Sequence, residues 1–116
     1  MNGHDETDSG DLAQKKCKPC EGGTKPLEEA KIRAFLVRLP GWDYTGGELA
    51  RTFTFKNYYQ TVSFVNAVAW VAHREDHHPE MEVGYKTCRV RYRTHAIDGL
   101  SENDFICAAK VNALES

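Results

Sequence analysis

Between residues 80 and 93 apolar and polar side chains take turns: Met81, Val83 and Tyr85 alternate with polar neighbours, then Cys88, Val90 and Tyr92 alternate with Arg89, Arg91 and Arg93. A period of two sends successive side chains to opposite faces, so these two strands have one apolar and one charged side. Such a strand belongs in a sheet covered on one face only, and antiparallel sheets take that form. The arginines read as the wet face of a half-exposed strand rather than as a nucleic-acid contact. Fifteen Lys and Arg against seventeen Asp and Glu leave a net charge of -2, which provides no global field for a polyanion.

Elsewhere the period changes. Pro26 suits a first helical turn, and Leu27, Ala30, Ala34, Leu36 and Leu39 recur at helical spacing until Pro40 and Gly41. Trp42–Tyr44 and Leu49–Phe55 flank Gly46-Gly47, a dipeptide suited to a tight hairpin, with Phe53 and Phe55 on one face. From Asn57 to about Arg74, Tyr58, Val62, Val65, Ala69 and Ala72 form a stripe broadened by Phe64, Val68 and Val71, which predicts a central helix. Ser101 and Asp104 are spaced as a capping box ahead of Phe105, Ala108, Ala109 and Leu114. The predicted fold is α+β: a four-stranded antiparallel sheet with three helices packed on one face, in the order α-β-β-α-β-β-α.

With 116 residues the chain has material for one domain, placed at 24–116. Residues 1–23 are polar and carry little to bury, so they are expected to form a flexible leader. Apolar runs are too short to cross a bilayer, and the acidic start, Met1 to Gly10, does not resemble a secretory signal; a cytoplasmic location is expected by default. Cys17, Cys20, Cys88 and Cys107 are accordingly read as reduced thiols. The Cys17-x-x-Cys20 pair lacks the second pair that structural zinc wants and the preceding strand of a redox motif.

The strongest functional signal is histidine clustering. His73, His77, His78 and His95 account for four of the five histidines and fall within one short stretch. If the central helix runs one turn further, His73 and His77 share a face, and His95 closes the fourth strand. Three readings fit: acid–base catalysis near neutral pH, metal ligation, and plain solvated loops. Tyr85, Trp42 and Phe55 read as core or pocket wall.

The run His73-x-x-x-His77-His78-Pro79, followed by Tyr85, His95 and Asp104, resembles the signature of the pterin-4a-carbinolamine dehydratases. Phe53-x-Phe55, the stripe from Phe64 to Ala72, and Asp98-Gly99-Leu100-Ser101 extend the likeness over about residues 25 to 114. The resemblance implies a hydro-lyase that converts a 4a-hydroxytetrahydropterin to the quinonoid dihydropterin in support of aromatic amino acid hydroxylation. It implies the pterin as substrate, no cofactor, no metal, and a homodimer or homotetramer; from the net charge and the short apolar runs, no direct nucleic-acid or membrane partner is expected. His77 and His95 would act as acids near the departing hydroxyl, and His78 would hold the pterin and serve as base. His73, Asp76, Pro79 and Asp104 would bind or support. Many members carry a carboxylate where this chain has His73; its work would pass to Asp76, or to Glu75, or be absent. Pro79 fixes its own φ and biases His78 toward an extended backbone. Asp104 would be part of the cap, part of the site, or both. Relatives of this family also serve as dimerisation cofactors for a transcription factor or in molybdenum-cofactor metabolism, which gives two alternative functions.

Overall fold

A computed structural model describes residues 12–19 and 24–115. After residue 24 the elements run α1 (Glu29–Leu36), β1 (Asp43–Thr45), β2 (Glu48–Thr54), α2 (Tyr58–Glu75), β3 (Glu80–Val83), β4 (Thr87–Tyr92), a short 3-10 helix (His95–Ile97) and α3 (Glu102–Ala113). The strands make one antiparallel sheet in the order β1-β2-β4-β3. The α-β-β-α-β-β-α order expected from the sequence is therefore present.

Local chemistry accounts for the turns. Gly46 and Gly47 both adopt positive φ, 62° and 82°, which a two-residue hairpin between right-twisted strands requires. Asn57 starts α2 by accepting a hydrogen bond from the Gln60 backbone through its side chain. Asp76 ends the helix in the left-handed region at φ 53°, its N–H bonded to the Ala72 carbonyl; an aspartate tolerates that conformation, whereas a β-branched residue resists it.

Register fixes the two faces of the sheet. Leu49 opposes Tyr92 and Phe53 opposes Cys88, and all four are buried. They join Ile32 of α1, Phe64 and Val68 of α2, and Phe105, Ala108 and Val111 of α3 in a single core. The Phe53 ring lies 4.6 Å from Phe64 and 6.1 Å from Trp42, centroid to centroid. The opposite face carries Glu48, Glu82, Arg89 and Arg91, with an Arg91–Glu48 ion pair at 3.2 Å. Alternation therefore predicted the buried side chains of β4 one by one. β3 ends at Val83, and Tyr85 falls in the following turn, exposed and stacked on Tyr58.

The leader boundary needs correction. Residues 1–11 and 20–23 lie outside the described residues, but residues 12–19 are packed on the domain rather than free of it. Leu12 is fully buried in the core. Lys110 donates to the Ala13 carbonyl at 2.7 Å, and Asn103 and Lys18 exchange two hydrogen bonds through the Asn103 side chain. One leucine and a few backbone groups suffice because α3 and the end of α2 present matching partners, a complementarity that composition does not reveal.

Candidate active site

The site forms where three chain segments leave regular structure. The left-handed turn at Asp76 takes the chain off the α2 axis, so His77 and His78 extend from the helix end toward β3. β4 stops at Tyr92, and Thr94 pairs with Gly99 across a loop that contains the 3-10 helix opening at His95. Asp98, also left-handed at φ 52°, closes this loop; its N–H bonds the His95 carbonyl at 3.1 Å and its carboxylate takes an ion pair from Arg93. Residues 16–19 supply the remaining wall.

These segments enclose a cavity of about 540 Å³ whose lining includes His77, His78, His95, Asp76, Arg93 and Cys17. A neighbouring cavity of about 250 Å³ on the charged side is bounded by His78, His95, Arg91, Arg93, Glu48 and Glu80. His78 and His95 thus stand between two hollows, both exposed, while His77 is set deeper.

His77 is held from two sides. Its Nε2 lies 2.6 Å from Asp104 Oδ1, and its ring stacks on Tyr92 at 5.7 Å with 9° between the planes. A carboxylate accepts, so this contact places the hydrogen on Nε2 and leaves Nδ1, which has no partner among the described residues, as the other ring nitrogen. Asp104 is fully buried, yet every bond it makes is matched. Oδ2 accepts from the Ser101 backbone N–H at 3.0 Å and from Thr94 Oγ1 at 2.8 Å, while Oδ1 faces His77. A buried charge needs such partners to persist. Asp104 therefore caps α3 and, through its other oxygen, holds the His77 imidazole. Burial holds the Tyr92 hydroxyl far above its usual pKa, so this ring is a neutral platform at any physiological pH.

Three expectations are revised. α2 ends at Glu75, so His73 and His77 do not share a helix face; His73 is exposed against Trp70 and does not line the cavity. The carboxylate that orients a site histidine is Asp104, not Asp76, which is exposed at the cavity wall. His95 opens a 3-10 helix beyond β4 rather than closing the strand. Pro79 is half-buried, and its carbonyl lies 3.5 Å from His78 Nδ1. Among the described residues no three His, Cys, Asp or Glu side chains are grouped so that they could hold a metal ion.

Thr94, Asn103 and Glu75 are contributors that residue-type reasoning passed over or placed only as substitutes. Thr94 had one available signal, its position directly before His95. Glu75 accepts from the Cys17 backbone N–H at 2.9 Å and sits 3.8 Å from Lys110. Burial pushes the Glu75 pKa up, but the Cys17 N–H and Lys110 outweigh it, so the group stays below the usual carboxylate range. A lowered folded-state pKa stabilises above the unfolded value and loses that contribution as pH falls through the folded one. We expect amide protection at Cys17 to collapse on the acid side of the carboxylate range. In Glu75→Gln that step disappears; an unchanged acid titration of Cys17 protection in this variant contradicts the assignment.

Fold and site together define a small α+β protein with a histidine-lined pocket at the end of one antiparallel sheet. Comparison with known proteins gives the family. The sequence profile of the pterin 4 alpha carbinolamine dehydratase family matches residues 25–114. A Nitrosospira multiformis protein is 59% identical over 109 residues, covering 94% of this chain and 96% of its own, and a Nitrosomonas europaea protein is 64% identical over 105 residues, covering 90% and 93%. Both are provisionally assigned as pterin-4-alpha-carbinolamine dehydratases. The crystal structure of a transcriptional coactivator/pterin dehydratase from Brucella melitensis superposes with a TM-score of 0.76 at 31% identity, covering 79% of this chain and all of that one. The chain belongs to the pterin-4-alpha-carbinolamine dehydratase family. No helix among the described residues is long and apolar enough to cross a membrane.

Proposed function

We propose that this protein is a hydro-lyase acting on 4a-hydroxytetrahydropterin, with histidines as its acids and base. The observation that carries the reading is that His77, His78 and His95 line one cavity, with His77 oriented by the buried Asp104. Dehydration delivers a proton to the 4a-hydroxyl, which leaves as water, and removes one from the adjacent ring nitrogen, giving the quinonoid dihydropterin. Neutral and protonated imidazoles coexist near neutral pH, so one cluster can both give and take a proton. His77 and His95 are the proposed acids at the hydroxyl, and His78 the pterin contact and base. Asp104 acts through His77 as a positioning residue, with Pro79 setting the backbone of His78 and Asp76 on the wall. A non-catalytic binding module needs no buried carboxylate bonded to a pocket imidazole, which favours the catalytic reading over that alternative.

No cofactor enters this scheme. Self-association belongs to the same proposal, since among the described residues β1 and β3 each leave one edge of the sheet unpaired. The assay follows loss of freshly generated 4a-hydroxytetrahydropterin, with and without chelator. Faster decay that chelator leaves unchanged, in a preparation whose scattering mass exceeds that of one chain, is the expected result. Decay at the uncatalysed rate overturns the catalytic reading, and loss of activity with chelator overturns the metal-free one.

A further inference from the structure

Cys17 and Cys107 lie 90 positions apart in sequence, yet their sulfurs are 3.5 Å apart. Both are free thiols, Cys17 half-buried in the cavity lining and Cys107 fully buried on α3. The Cys17 thiol also reaches the Asn103 carbonyl at 3.7 Å, and Cys107 Sγ lies 4.0 Å from the carbonyl of His77. The surrounding bonds hold the two sulfurs together: Glu75 fixes the Cys17 N–H, and Asn103 binds the next residue from both sides.

We infer that Cys17 and Cys107 form an oxidisable dithiol that, on reaction with a peroxide, clasps residues 12–19 to α3 as one wall of the histidine-lined cavity. The inference is independent of the reaction proposed for that cavity. Cys17 is the attacking sulfur because it borders the cavity. Its thiolate attacks one oxygen of hydrogen peroxide, the O–O bond breaks, and the leaving hydroxide takes up the thiol proton as water. The resulting Cys17 sulfenic acid is attacked by Cys107 Sγ; the S–O bond breaks, the Cys107 proton leaves with that oxygen as a second water, and the S–S bond forms. Two thiols are oxidised, and one peroxide is reduced to two waters. Cys107 is fully buried on α3 while Cys17 borders the cavity, so peroxide meets Cys17 first and Cys107 resolves rather than initiates; the neighbouring Cys17 thiol and burial also raise the Cys107 pKa. Cys88, sealed beneath the sheet, serves as an internal control.

The test treats the full chain with hydrogen peroxide, blocks remaining thiols and maps peptides without reductant. Lys18 and Lys25 each precede proline, so trypsin leaves Cys17 and Cys20 in one peptide. The assignment is therefore made in Cys20→Ser. Expected is a peptide pair joining Cys17 to Cys107, reversed by dithiothreitol, with a Tm rise on the order of 10 °C for so long a closed loop and slower exchange at the Cys17 and Lys18 amides. Cys17→Ser and Cys107→Ser should each abolish the link. The first replaces the half-buried partner, so the test does not depend on a buried substitution folding. Overturning results are a native protein joined only through Cys17–Cys20, a Cys20→Ser protein whose Cys17 and Cys107 remain separate after peroxide, or a link that forms only after unfolding in urea.

Discussion

A His78→Ala protein is expected to keep its melting temperature and lose on the order of a hundredfold to ten-thousandfold in kcat, the usual contribution of a placed acid or base. The two halves of that expectation have separate physical sources. His78 is exposed, and the contact found for its ring is a long one, 3.5 Å to the Pro79 carbonyl, so truncation empties no core space and strands no buried polar group. Its ring nevertheless borders both cavities, where a flat substrate entering between them would meet it. Turnover and thermal melting measured on one preparation check both halves. Full activity in the variant removes His78 from the mechanism, and a lowered Tm shows that the lost rate is a folding effect.

Asp104→Ala should fail in the opposite way, losing stability as well as rate. The substitution leaves the Ser101 N–H, the Thr94 hydroxyl and His77 Nε2 without their shared acceptor at a fully buried point. Stranding buried donors costs about 1–3 kcal/mol each, and the α3 cap goes with them. We expect a total loss of at least about 3 kcal/mol, corresponding to roughly 10–20 °C in Tm for a domain of this size. Asp104→Asn separates the cap from the positioning role. An asparagine oxygen still accepts from the Ser101 N–H, so Tm falls far less. Its amide can donate as well as accept, so the hydrogen on His77 is no longer directed to Nε2, and kcat drops while KM changes little. An Asn variant with wild-type kcat confines Asp104 to capping.

The arrangement also explains how a small chain with few buried charges can afford this one. Asp104 occupies a helix N-terminus, where the backbone N–H groups and the helix dipole favour negative charge, and the hydroxyl of Thr94 supplies a further donor. Tyr92 then supports the far face of His77 as part of the same buried strand row that closes the core. Site and core are continuous here, so changes beneath His77 are expected to reach the pocket through packing.

By itself the sequence determined the sheet, its covered face and the order of elements, because those follow from local periodicity. The alternation from Cys88 to Arg93 placed three side chains in the core, Gly46-Gly47 marked the hairpin, and the Ser101–Asp104 spacing marked the start of α3. Histidine clustering together with the family signature singled out His77, His78 and His95, which the fold places along one cavity, and equally His73, which it does not. Tertiary structure alone decided which carboxylate meets which imidazole. A single left-handed residue, Asp76, ends α2 one position before His77, which turns His77 toward Asp104 and leaves His73 outside. Only the folded chain showed residues 12–19 against α3 and Cys17 beside Cys107, since contacts across some 90 positions depend on where distant surfaces come together and leave no period in the sequence.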